Sequence, residues 1–263
     1  MNLTYVVRDS MTMLSRNLRH LSRYPSLAVM LIAIPVVFLL LFVYVFGGTL
    51  GAGLPVDGGG TRADYLTYLV PGIWIMTVSS VANGTAVAVA IDQTGGMFAR
   101  FRTMDIARGA VLAGHVLGAV IRTVLALAVM IVVAVLLGFR SDAGVVGWLG
   151  AAGLVLLLAF SFTWLTVAMG LAAGSIETAS NTPLVLMVLP VVSSGFVPTE
   201  QMPVGLRQFA EHQPFTPIID TLRALTSGAP VGPEGWFAVG WCVVIGMVGY
   251  LWSRRQFGKV PTR

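Results

Sequence analysis

Six stretches of the chain carry almost no charge, and the polar residues gather in the segments between them. The stretches are 26–48, 65–91, 118–139, 146–172, 178–197 and 235–253. In hydrocarbon every backbone amide must find its partner within the segment, and ~20 apolar residues rising 1.5 Å each cross a ~30 Å core as a helix. Each stretch therefore predicts a transmembrane helix. Strands of a membrane barrel would alternate polar and apolar positions over short segments, whereas Val29 to Val45 and Leu154 to Ala159 are unbroken apolar runs. The pattern predicts an all-α membrane protein with six transmembrane helices.

The joining segments sort by charge. Arg8, Arg16, Arg19 and Arg23 precede the first stretch, Arg100, Arg102 and Arg108 follow the second, and Arg254, Arg255, Lys259 and Arg263 follow the last. In a six-span topology these share one side, and the other side holds Arg62, Arg140, Arg207 and Arg223 among seven acids. The positive-inside rule makes both termini cytoplasmic. The polar lead before the first stretch is long for a signal peptide, and no small-x-small cleavage site follows the apolar core. Within that lead, Leu3, Val6, Val7, Met11, Leu14, Leu18 and Leu21 recur at three- and four-residue steps. This predicts an amphipathic interfacial helix over 1–25, its arginines toward anionic lipid or a partner, and the same arginines also serve as a topology anchor.

Two joining segments are too apolar to be simple solvated loops. The cytoplasmic segment 92–110 carries Met97, Phe98, Phe101, Met104 and Ile106 among its arginines, after a break at Gly95 and Gly96. It reads either as a short helix that docks into a groove of a cytoplasmic partner, arginines meeting carboxylates at the rim, or as a segment lying against the headgroups. The segment 198–225 is divided by Pro198, Pro203, Pro214 and Pro217 into pieces near Val204 to His212 and Pro217 to Leu225. Proline suits the first turn of a helix. The greasy faces of both pieces predict a re-entrant helical hairpin on the extracellular side, between the fifth and sixth helices.

Composition narrows the function classes. The 263 residues are 56% hydrophobic and 10% charged, against ~25% charged in a typical globular protein. Mean hydropathy is +0.86. A soluble enzyme, a nucleic-acid-binding domain and a disordered tail are excluded. The lone Cys242 excludes an intrachain disulfide and a Cys-rich metal site. No metal site is expected. A phosphate loop needs Gly-Lys-Ser/Thr, and the only lysine stands in Gly258-Lys259-Val260, so any ATP-driven work needs a separate ATPase subunit. Asp92-Gln93-Thr94-Gly95-Gly96 resembles the start of an alcohol phosphatidyltransferase motif, but Gly109, Ala113 and Leu117 stand where further aspartates belong. An intramembrane serine protease needs a serine and a histidine buried together, and His20, His115 and His212 lie outside the expected spans.

Polar groups inside spans are expensive and so are candidates for function. Arg122 and Arg140 have seventeen residues between them, ~26 Å of helix, so both can snorkel to opposite interfaces; the other reading is a charge lining a pathway. Asn83 and Asn181 are further pathway candidates, although interhelical hydrogen bonding accounts for such groups more often. Gly114-x-x-x-Gly118 reads as a packing face, and Tyr65 and Tyr68 as an outer aromatic belt. The spans offer no Asp or Glu relay and no persuasive internal repeat, which argues against a secondary transporter. What remains is a pump for something greasy.

The ordered set of short motifs resembles the membrane subunit of ABC transporters of the type-2 exporter class, in the daunorubicin-resistance branch of multidrug permeases. The matching residues are Tyr68-Leu69-Val70-Pro71-Gly72-Ile73, Asp92 with Gly96 and Phe98-Ala99-Arg100-Phe101-Arg102, and Leu137-Gly138-Phe139-Arg140. Ser193-Ser194-Gly195-Phe196-Val197-Pro198-Thr199-Glu200-Gln201-Met202-Pro203 follows, then Phe209 to Pro217 and Asp220-Thr221-Leu222-Arg223. The resemblance implies a subunit of a bacterial cytoplasmic membrane that pairs with itself as a homodimer and recruits two copies of an ABC ATPase subunit. That partner would bind ATP and Mg, with no cofactor and no catalysis in this chain. The coupling residues it implies are Gly95, Gly96, Met97, Phe98, Arg100, Phe101, Arg102 and Asp105. Arg8, Arg16 and Arg19 fall in the interfacial helix, and Phe196, Pro198, Pro203, Pro214 and Arg223 in the hairpin. Asp105 stands where the family pattern commonly has a proline, which leaves the frame of the coupling helix open. The expected cargo is an amphiphilic drug, antibiotic or lipid-like compound; a cell-envelope lipid or glycolipid is the alternative, and a non-transporting scaffold a third reading.

Overall fold

The computed structural model describes residues 25–54, 60–96 and 108–259, with side chains over 32–54, 60–96 and 112–258. The interfacial arginines Arg8, Arg16 and Arg19 and the loop residues Met97, Phe98, Arg100, Phe101, Arg102 and Asp105 lie outside the described residues. All regular secondary structure among the described residues is helical, with no strand among them.

Helix α1 (Pro25–Leu41) passes through a π turn at Phe42–Phe46 into α2 (Gly47–Ala52). Helix α3 (Arg62–Thr94) is started by a reciprocal cap. The Asp64 amide donates to Thr61 Oγ1 at 3.3 Å, and Asp64 Oδ2 accepts from the Thr61 amide at 2.7 Å. α3 is the centre of the molecule. Leu69 to Ala82 are buried on every face, and α1, α2, α4, α5, α6 and α9 all pack against it.

Helix α4 (Arg108–Leu136) begins ten residues before the expected start at 118. Gly114, His115 and Gly118 do not interrupt it: all three are buried, and the glycines give it a flush face. Helix α5 (Val145–Ala172) runs beside α10 (Glu234–Lys259). A Cβ on Gly249 would stand 2.5 Å from the Leu165 amide nitrogen, and one on Gly246 2.9 Å from Ser161 Oγ, so these glycines set the spacing of the pair. Gly170 meets Ala86 of α3 in the same way.

The fifth stretch differs from the single helix expected over 178–197. It is a broken rod: α6 (Ile176–Asn181), a 3-10 turn at Thr182–Leu184, α7 (Val185–Val188) and a second 3-10 turn at Leu189–Val192. Pro183 and Pro190 remove the amide donors a regular helix would need and tighten the turns around them. Ser193 to Val197 is irregular. The hairpin segment forms a 3-10 turn at Thr199–Gln201, α8 (Val204–His212) capped by Pro203, and α9 (Phe215–Ser227) capped by Pro214 and closed by left-handed Gly228 (φ +75°). α9 packs against α3, α5 and α10. Among the described residues five helices are long and apolar enough to cross a membrane, with Ile176–Val192 as a shorter apolar rod.

Among the described residues two main apolar clusters hold the bundle, beside a small one of Ala90, Ala173 and Ala179. The larger surrounds α3 and includes Leu39, Tyr65, Leu69, Ile73, Phe162, Phe196, Phe215 and Leu222. The smaller joins Val89, Leu112, Val116, Trp164, Val167, Leu171 and Phe257 of α3, α4, α5 and α10. It lies at the loop end of the molecule, where α3 finishes and α4 begins.

Candidate functional site

Three stretches distant in sequence meet at the opposite end of α3, under the hairpin. Arg223 of α9 lies over the Tyr68 ring of α3, its Cζ 3.8 Å from the ring centroid. Its Nη1 donates to Asp220 Oδ1 at 2.6 Å and its Nη2 to the Ser194 carbonyl at 2.7 Å. Nε and Nη2 also reach the Tyr68 carbonyl at 3.3 Å each. Asp220 Oδ1 accepts a further bond from Ser194 Oγ at 2.7 Å. The Tyr68 hydroxyl donates to the same Ser194 carbonyl at 2.6 Å, and the Tyr65 hydroxyl to the Phe196 carbonyl at 3.0 Å. Tyr65 is fully buried and so does not face lipid as the sequence suggested, whereas Tyr68 is half-buried beneath Arg223.

These bonds answer a problem set by the prolines. Backbone that leaves helical geometry inside an apolar bundle strands its carbonyls, and each must be satisfied by protein. The irregular 193–196 segment is satisfied from both sides, by tyrosines of α3 and by the planar fork of one arginine of α9. Gln213 Nε2 donates to the Val192 carbonyl at 2.5 Å, and the Ser194 amide donates to Thr216 Oγ1 at 3.4 Å. Gly72 and Gly195 touch backbone to backbone: a Cβ on Gly72 would lie 2.8 Å from the Gly195 carbonyl oxygen. The Phe196 ring packs on Phe42 with ring centroids 4.8 Å apart, which ties the segment to the π turn after α1 as well. Pro198 is buried at the following turn, and Pro203 is exposed at the start of α8. The result is a latch that holds the hairpin rigidly to α3.

At the loop end, Gly95 caps α3 with its amide on the Ile91 carbonyl at 2.9 Å, and Gly96 takes a left-handed turn (φ +70°). Just before them Asp92 Oδ2 meets His115 Nε2 of α4 at 3.1 Å, with side chains 13% and 3% exposed. Nothing in the sequence flagged His115, because the helix that holds it was expected to start after it. Two turns deeper, Arg122 Nη2 donates to Thr85 Oγ1 at 3.0 Å. The guanidinium thus turns across the helix pair onto α3 instead of running along α4 toward an interface. Asn83 faces the other way and donates to Met187 Sδ of α7 at 3.9 Å. Asn181 is exposed at the end of α6. The three pathway candidates, Asn83, Arg122 and Asn181, are not brought together. Among the described residues no three His, Cys, Asp or Glu side chains converge as metal ligands.

Comparison with known proteins bears on the whole arrangement. The family model described as ABC-2 type transporter matches residues 9–226. A daunorubicin resistance ABC transporter permease of Streptomyces coeruleorubidus is 31% identical over 245 residues, covering 92% of this chain and 82% of that protein. A probable doxorubicin resistance ABC transporter permease of Mycobacterium tuberculosis is 26% identical over 227 residues, covering 83% of this chain and 79% of that protein.

Proposed function

The chain belongs to the ABC-2 type transporter family as a multi-pass, non-catalytic permease subunit whose ATPase is a separate chain, and from that premise we propose that it exports an amphiphilic drug, antibiotic or lipid-like compound from the cytoplasm or inner leaflet. Two copies of the ATPase, holding ATP and Mg, drive a homodimer of this chain in a bacterial cytoplasmic membrane. The broken rod Ile176–Val192 completes a set of six spans as the fifth in chain order, both termini are cytoplasmic, and the hairpin is extracellular. Two resistance permeases among its relatives support a drug-like cargo.

The observation that carries the reading is the position of α3. Its 33 residues, ~50 Å of helix, end in the basic, aromatic segment Gly95 to Asp105 and are latched to the hairpin near their start. ATPase closure pushes on Phe98, Phe101, Arg100 and Arg102, and α3 delivers that displacement to the extracellular exit. The interfacial helix with Arg8, Arg16 and Arg19 bears on the headgroups and the ATPase flank. No carboxylate relay is needed, because the energy enters from the cytoplasmic partner.

The test reconstitutes the chain with its ATPase and follows a panel of fluorescent amphiphiles in everted vesicles. Arg100→Glu with Arg102→Glu should abolish ATP-dependent movement and co-purification of the ATPase, with insertion and yield intact. Wild-type export from that double variant would overturn the assignment.

A further inference from the structure

The Asp92–His115 and Thr85–Arg122 contacts form two rungs of one ladder. On α3 the rungs lie seven residues apart, 85 to 92, and on antiparallel α4 again seven, 115 to 122. Seven residues are two helical turns, ~10.5 Å, so each rung falls on the same face of both helices. Between them the seam is apolar: Val89 of α3 and Val116 of α4 are buried in the smaller cluster, and Ala119 of α4 is buried as well. The outer rung borders the smaller apolar cluster, which joins α3 and α4 to α5 and α10. An apolar seam fixes the distance between two helices well and their axial register poorly, since sliding by a turn exchanges one aliphatic contact for another. A directional polar contact inside that seam penalises such sliding, because a slipped register breaks the interhelical contacts of both rungs and sets apolar positions in place of the partners.

We propose that Asp92, His115, Thr85 and Arg122 are positioning residues for energy coupling: they lock α3 and α4 in register, so that a push on the loop between them moves both helices as one body. The inference rests on the proposed role of the Gly95 to Asp105 segment. That segment enters from Gly96 and leaves into Arg108, and the Asp92–His115 rung clamps the two helices at its mouth. Without the rungs the loop's displacement dissipates as slip between α3 and α4, and ATP is hydrolysed without cargo movement. None of the four residues need touch cargo or the ATPase.

The readout is cargo exported per ATP hydrolysed by the reconstituted transporter, which a mere loss of folded protein would leave unchanged. Asp92→Asn and His115→Gln should each lower that ratio about threefold to tenfold while ATPase binding and basal hydrolysis stay at wild-type levels. The exchange Asp92→His with His115→Asp should recover most of it. Thr85→Val, which removes one hydroxyl and keeps the shape, should lower the ratio by a smaller factor and serves where the outer-rung variants do not fold. A wild-type ratio in Asp92→Asn, His115→Gln and Thr85→Val overturns the proposal, as does an exchange variant no better than the singles. The Arg100, Arg102 double variant separates the two readings. If it still exports, the coupling segment is misassigned; if it loses export while the rung variants keep a wild-type ratio, only the ladder fails.

Discussion

Tyr65 shows how one hydroxyl can decide a local structure. It is buried on α3, and its single described bond goes to the Phe196 carbonyl in a segment that cannot make its own. Tyr65→Phe keeps the ring and strands that carbonyl, so it should cost about 1–3 kcal/mol, seen as a lower unfolding midpoint in detergent. Arg223 presents a different case, because four contacts depend on the planar fork of its guanidinium and its stacking on Tyr68. Lysine retains the charge but cannot reproduce the fork. Arg223→Lys should therefore destabilise by about 1–2 kcal/mol, a range kept low because the Arg223 and Asp220 side chains are 22% and 35% exposed. A wild-type midpoint for Arg223→Lys would mean the charge alone suffices. Gly72→Ala places a methyl against the Gly195 carbonyl and should cost about 1–3 kcal/mol by forcing α3 away from the irregular segment.

Among the elements, the broken rod is the one whose form the hydrophobic pattern concealed. Its composition is as apolar as a regular span, and hydropathy does not register where a helix loses its donors. Pro183 and Pro190 were the visible signal, since each removes one amide and crowds the preceding turn. Replacing both by Ala should straighten the rod and leave insertion intact, yet reduce export, because a regular helix could not deliver Ser193 to Phe196 to the latch. Export at wild-type level from the Pro183→Ala, Pro190→Ala chain would show that the break serves only packing. Other elements were plain in the sequence: α8 runs between Pro203 and the residues before Pro214, because proline suits the start of a helix. The start of α4 was hidden for the opposite reason. Gly114, His115 and Gly118 look like loop residues until the flank of α3 is there to receive them. For the same reason the latch was legible as motifs and illegible as a site: Tyr68, Ser194 and the Asp220–Arg223 pair stand in three separate stretches, and only the fold puts one arginine against all of them.

For the whole molecule, the central helix joins two places that the sequence shows separately. From Tyr68 to Asp92 is ~36 Å along α3, with the hairpin latch at one end and the first ladder rung at the other. Such a connection works in both directions. If nucleotide at the partner ATPase shifts the position of the hairpin, thermodynamic linkage obliges anything that holds the hairpin to shift nucleotide affinity by the same factor. On the proposed topology, an antibody fragment raised against the exposed face of α8, around Val204, Leu206 and Phe209, would then act on an ATPase across the bilayer that it never touches. Measured ATP affinity with and without the fragment should move severalfold in the wild type and much less in Arg223→Lys, where the latch is loosened. If the proposed topology holds, the transporter could then be tuned from outside the cell by a molecule that never enters it.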